Sequence, residues 1–193
     1  MKRLWLLVLF TTSPLGAQAI ETPLALHAKA GSTLTIRGST TIGAHWHCRA
    51  TNVVATAIMN DSTVSADAHE VRWVSVIVPI SALRCQSGPM ERAMRKAMRA
   101  ESDPTQRIEG QFATDPGRPP ESRAAHLAGT LTVTGVTQNV VLSAEVERRP
   151  EGILRVRSSV PLTLSAFRIT PPRVLFGAVR ARDAISVEVD LVF

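Results

Sequence analysis

The sequence contains no tyrosine, three tryptophans and five phenylalanines, so aromatic residues make up 4% of the chain. That scarcity argues against an outer-membrane barrel, which carries aromatic girdles at both interfaces, although an alternating final segment ending on Phe193 would otherwise suit one. It also disfavours carbohydrate and single-stranded nucleic acid as ligands, because both are usually held on stacking platforms. Cysteine is equally sparse: Cys48 and Cys85 are the only two. This excludes a disulfide-dense mini-protein, and neither cysteine has a diagnostic spacing to histidine that would mark a catalytic thiol. No apolar run approaches the roughly 20 residues of a spanning helix, so no integral membrane span is expected. The chain also lacks a Gly-rich phosphate loop, a nucleophile elbow and a His-Glu zinc helix. No enzyme, catalytic set or cofactor is expected.

What is present is enough for one globular domain: 193 residues, of which 45% are apolar. Lys2 and Arg3 precede an uncharged apolar run from Leu4 to Phe10, and Pro14, Gly16 and Ala17-Gln18-Ala19 follow. This reads as a secretory signal peptide over residues 1–19, with cleavage near Ala19 and a mature domain over 20–193. The formal charge of +6 comes from 22 basic and 16 acidic residues, and removing Lys2 and Arg3 leaves 20 against 16, or +4. The excess is spread along the chain, so nucleic acid is not expected as a partner. Without a cysteine at the cleavage site a lipoprotein anchor is excluded, and the product is expected to be periplasmic or secreted. In that oxidising compartment Cys48 and Cys85 read as one disulfide, worth about 3 to 4 kcal/mol in the chain-entropy picture.

The dominant periodicity is two. Ile185, Val187, Val189, Leu191 and Phe193 alternate with Ser186, Glu188 and Asp190, and Leu154, Val156, Val160, Leu162 and Leu164 follow the same rule. So do Val140, Leu142, Ala144 and Val146. Further strands are predicted at Thr33–Arg37, Trp46–Met59, Val71–Val78, Arg107–Ala113 and Leu127–Thr134. Turn residues separate the segments at Asn60-Asp61, Asp115-Pro116-Gly117, Gly135 and Glu151-Gly152. The fold class is therefore all-β, an antiparallel sandwich or closed barrel. One segment departs from this: after Ser87-Gly88-Pro89, the residues Met90, Met94 and Met98 recur at helical spacing, with Arg92, Arg95, Lys96 and Arg99 on the other face. This predicts a short amphipathic helix, either packed on the core or acting as a lid over an apolar cavity. His45 and His47 project from one face of a strand but do not complete a metal site, and His27, His69 and His126 lie at no ligand spacing.

The order of motifs is more specific than any one of them. GSTTIGAHWHC (Gly38 to Cys48), VIVPISALRC (Val76 to Cys85), RIEGQF, GTLTVTGVTQNVVL (Gly129 to Leu142), PLTLSAFRITPP and the final VLFGAVRARDAISVEVDLVF follow one another over nearly all of the mature chain. In this the chain resembles the YceI-like family. The resemblance implies a lipocalin-like antiparallel barrel of about eight strands whose apolar lumen holds a long isoprenoid-type chain. Many relatives read Ser-Asp-Phe-Gly-Ile-Lys-Pro-Pro where this chain has Ala166, Arg168 and Thr170, and the usual basic residue after Gly-Val-Thr is Gln138 here. If those positions shape the mouth of the cavity, ligand choice differs.

The preferred expectation is a non-catalytic carrier or scavenger of a polyisoprenoid or similar lipid. Trp46, Trp73, Met94, Met98, Leu131 and Val133 are candidate lining or lid residues, together with Leu142, Leu164, Phe167, Phe176 and Val187. The alternative is an envelope protein-interaction module with a filled barrel, using sheet edges or the basic helix face.

Overall fold

In a computed structural model, the chain is described over residues 23–59, 71–118, 124–149 and 152–193. The leader, the Asn60-Asp61 turn, His69 and Glu151 lie outside the described residues. The strands are β1 (Leu24–His27), β2 (Thr33–Thr40), β3 (His45–Ala50), β4 (Val54–Met59), β5 (Val71–Pro79), β6 (Arg84–Cys85), β7 (Arg107–Thr114), β8 (Ala124–Val133), β9 (Val136–Arg148), β10 (Leu154–Thr163), β11 (Arg173–Val174) and β12 (Val179–Val192). All described pairings are antiparallel, in the order β1-β4-β5-β7-β8-β9-β10-β12-β2-β3-β6, with β11 beside β12.

The predicted strand Trp46–Met59 is two strands, because the chain turns a corner at Thr51–Val53. β1 pairs with β4 and β2 pairs with β3, so residues 24–40 and 45–59 form a single ribbon bent at 28–32 and 51–53. One arm of the ribbon joins β12 through β2, and the other joins β5 through β4. The pairings thereby return to their starting point. Setting aside the short β6 and β11 leaves ten described strands, slightly more than the about eight that the resemblance implies. Main-chain bonds hold the corner: Ala28 N–H donates to Ala55 O at 2.8 Å and Lys29 N–H to Val192 O at 2.7 Å. The buried Ser32 hydroxyl accepts from Val192 N–H at 3.0 Å, which satisfies a main-chain donor at the bend.

Inward positions are apolar and outward positions polar along each stave. On β12, Val187 and Leu191 are buried while Glu188 and Asp190 face out to Arg37 of β2 and Arg155 of β10. Gly129, the first residue of the Gly129–Leu142 motif, has a packing reason. A Cβ there would lie 1.9 Å from Gln111 O, so β7 and β8 could not approach as they do. Gly38 similarly leaves room for the Trp46 indole, whose ring atoms would be 2.4 Å from a Cβ at that position.

The single α-helix among the described residues, α1 (Gly88–Ala97), lies within the connection from β5 to β7. Ser87 caps it by accepting from Met90 N–H, Pro89 sits in the first turn, and Arg99 leaves the helical region at φ 59°. Met90, Met94 and Met98 are buried, so the methionine stripe packs onto the end of the barrel. Cys48 and Cys85 form a disulfide, pairing β3 with β6 directly opposite it. Together the two features bind the β5–β7 connection to the barrel, and a disulfide fits an exported protein.

Two consequences can be measured. Replacing both cysteines, Cys48→Ser with Cys85→Ser, should lower the unfolding free energy by about 3 to 4 kcal/mol, read from urea unfolding, with a steeper slope because the unlinked unfolded chain exposes more surface. Arg155 donates from Nε to Asp190 at 2.7 Å and holds that carboxyl below the usual carboxylate range, against the opposing effect of burial. The unfolded state then binds more protons in the interval between the two values. The pair's contribution is present above about pH 4 and lost as pH falls through the lowered folded value. Asp190→Asn should abolish that part of the acid limb in pH-dependent unfolding.

Candidate functional site

The inward faces of the staves meet in one apolar lumen containing two cavities. The larger, about 60 Å³, is walled by Leu34, Val74, Val76, Phe112, Leu127, Leu142, Val156 and Leu191 among others. The smaller, about 30 Å³, lies beneath α1 and is walled by Ile36, Met98, Val133, Leu162, Leu164, Phe167 and Ile169 among others. Ile108, Leu131 and Val187 line both, so these three side chains divide the lumen. Among the described residues no charged group lines either cavity. The one hydroxyl in the set belongs to Ser158, and it donates to Ser143 O at 2.8 Å. A ligand held there would be recognised by shape and apolar contact alone.

Of the residues singled out from the sequence, Met98, Leu131, Val133, Leu142, Leu164, Phe167 and Val187 line the lumen. Trp46 and Met94 are buried but line neither cavity: Trp46 lies over Gly38 and donates to Ser39 O at 3.2 Å, and Met94 sits on the core side of α1. Trp73 and Phe176 stand elsewhere. Val74, Val76 and Val78 are buried on β5, so Trp73 alternates outward with Ser75 and Ile77, and the register shift between Ile58 and Met59 returns only Val71 to the buried face. Phe176 is fully exposed, because it and Leu175 adopt φ of 55° and 52° in the turn between β11 and β12. The lining residues not singled out, such as Phe112, Val156, Val189 and Leu191, share the alternation of those that were. Extending the period-two rule along each strand would have found them.

A larger cleft, about 680 Å³, lies on the outer wall between Arg37, Arg49, Arg157, Glu188 and Asp190. Most of its charges are already paired, Arg37 with Glu188 at 2.7 Å and Arg157 with Glu147 at 3.3 Å. Among the described residues no group of three or more His, Cys, Asp or Glu is placed to hold a metal ion, and His45 and His47 lie on the outer face of β3. No described helix is long and apolar enough to cross a membrane.

The departures noted in the sequence gather at one rim. Gln138 donates from Nε2 to the carbonyl of Ala166 at 2.7 Å, so two of the altered positions contact each other above Phe167. Arg168 caps the 3-10 turn Ser165–Phe167 in the left-handed region at φ 55°, which explains the glycine that many relatives carry there. Ser165 donates through its N–H and hydroxyl to Asp183, holding that carboxyl below the usual carboxylate range, and Arg180 reinforces the effect.

Comparison with known proteins agrees with this architecture. A family model described as YceI-like domain matches residues 26–193. No curated protein sequence matches the chain. Among solved structures, BcnA from Burkholderia cenocepacia superposes with a TM-score of 0.63 at 11% identity, covering 84% of this chain and 95% of that one. A polyisoprenoid binding domain from Saccharophagus degradans, implicated in plant cell wall breakdown, gives 0.60 at 11% identity over 87% and 96%. The YceI protein of Campylobacter jejuni gives 0.53 at 17% identity over 72% and 80%. At these identities the likeness is one of fold.

Arg168→Gly should relieve the left-handed backbone and raise stability by about 0.5 to 1 kcal/mol, seen as a higher thermal midpoint. A lower midpoint would mean that the arginine side chain stabilises the rim by more than its backbone costs.

Proposed function

The chain belongs to the YceI-like family, and from that premise we propose that it is an exported, non-catalytic protein that holds a polyisoprenoid or similarly long apolar lipid in its lumen. The observation that carries this reading is the chemistry of the lumen wall, which has no charged group and turns its one hydroxyl to a main-chain carbonyl. Such a wall suits a chain-like hydrocarbon. Each methylene moved into it is worth about 0.8 kcal/mol before ordering costs, so no polar anchor is required. The name of the Saccharophagus degradans neighbour points the same way. Export to the periplasm or beyond is supported by the leader-like first 19 residues and by the Cys48–Cys85 disulfide.

Space sets the condition for binding. Ligand pockets commonly run from about 300 Å³ upward, whereas the two cavities measure about 60 and 30 Å³. A long chain enters only if Ile108, Leu131 and Val187 change rotamer so that the cavities merge, and if Met98 yields beneath α1. The unbranched thioether of Met98 is suited to that movement. The small volumes also favour a second reading, in which the barrel is simply filled and the protein contacts another envelope protein through its surface. Only part of the helix face would be available for this, because Arg95 is tied to Ser81 O at 2.9 Å and to Glu91 at 3.2 Å.

Mass spectrometry of a lipid extract from protein purified natively from its host separates the two. The carrier reading expects a co-purifying lipid with a long apolar chain. It also expects Val187→Phe, at a stability cost of about 1 to 3 kcal/mol, to lose that lipid while remaining folded. Absence of lipid from the wild-type protein would favour the filled barrel.

A further inference from the structure

Beside the smaller cavity, the β11–β12 turn and the β2–β3 turn form a shared tip. Thr41 N–H donates to Arg180 O at 2.8 Å, and Arg180 pairs across with Arg173 of β11. The tip carries three large apolar side chains in solvent: Phe176 fully exposed, Leu175 at 63% and Ile42 at 69%. Isolated exposed apolar residues are ordinary, but three on adjacent turns form a patch. Backbone conformation holds two of them out, since Leu175 and Phe176 both adopt the left-handed region, which a bulky side chain seldom takes.

The surroundings are basic. From Leu164 to Ala184 the sequence has four arginines, Arg168, Arg173, Arg180 and Arg182, against a single acid, Asp183. All four arginines are exposed, and Asp183 is engaged by Ser165. The segment from Gly38 to Ala44, which includes Ile42, has no charged residue. α1 packs against β11 and adds the exposed Arg92, Lys96 and Arg99 to the same end.

We propose that this tip docks on an anionic phospholipid bilayer, with Phe176, Leu175 and Ile42 entering the interface and the arginines meeting the headgroups. Apolar side chains projecting from a basic rim give the two contributions that interfacial binding combines, apolar burial and attraction to anionic lipid. The placement gives the docking a use, because the tip lies at the end of the barrel where the lumen is closed by α1, Leu164 and Phe167. The inference does not depend on what the lumen holds: vesicle binding can fail while lipid co-purifies, and the reverse.

The test is co-sedimentation with vesicles of phosphatidylethanolamine containing phosphatidylglycerol, compared with vesicles of phosphatidylcholine alone, using protein and variants that share the same N-terminus. The proposal expects binding to the anionic vesicles that weakens with added salt and is much weaker on phosphatidylcholine. Phe176→Ser should weaken it about tenfold. Reversing charge at Arg173→Glu with Arg180→Glu should weaken it at least about 25-fold, fivefold for each arginine lost. These are surface positions, and unchanged circular dichroism and thermal midpoint would confirm that each variant is folded. No binding to anionic vesicles, equal binding to both kinds, or binding indifferent to Phe176→Ser in a folded variant would overturn the proposal.

Discussion

The corner at residues 28–32 and 51–53 is what turns a sheet into a container. Without it, β3 and β4 would be one straight strand, and the ladder from β5 round to β12 would have two open edges. With it, the same ribbon meets β12 on one arm and β5 on the other. Closure has an energetic logic as well, since edges present unpaired main-chain groups and a closed barrel has few. The bend itself would leave such groups stranded, and the bonds from Ala28, Lys29 and the Ser32 hydroxyl satisfy several of them. The lumen follows from this closure, because only then do the inward faces of all the staves look at one another.

Once closed, the barrel sorts its residues by parity. Charges that alternate with the apolar positions are driven to the outer wall, where they pair across strands, and none of the described residues that wall the two cavities is ionisable. A barrel of about eight strands has an interior just wide enough to be filled by side chains or to take one slender ligand. This chain lies at that boundary, with three side chains dividing two small cavities. Binding is therefore a matter of repacking a soft wall, not of filling a rigid hole.

Much of this is legible in the residues. The alternation in Leu154–Leu164 and Ile185–Phe193 identifies strands and their buried faces, and the Met90, Met94, Met98 spacing identifies the helix and its packed side. The corner is legible too, but as a slip of phase. Trp46, Cys48 and Ala50 are buried at even positions, whereas Ala55, Ala57 and Met59 are buried at odd ones. A phase change of that kind is easily read as tolerance within one strand. Trp73 and Phe176 lie away from the two cavities for different reasons. Trp73 alternates outward from the buried Val74, Val76 and Val78, with a register shift that makes Val71 of the same parity buried, and a left-handed turn takes Phe176 out of alternation altogether. The two-residue strands β6 and β11 are too short to have a period, and tertiary pairing alone defines them.

The central claim is that the lumen opens to take a long apolar chain. Isothermal titration calorimetry with geranylgeraniol, repeated over a range of temperatures, tests it most directly. The account predicts saturable binding with a distinctly negative heat-capacity change, the signature of apolar surface leaving water. Absence of saturable binding at every temperature, in protein first stripped of lipid and still folded, would contradict it.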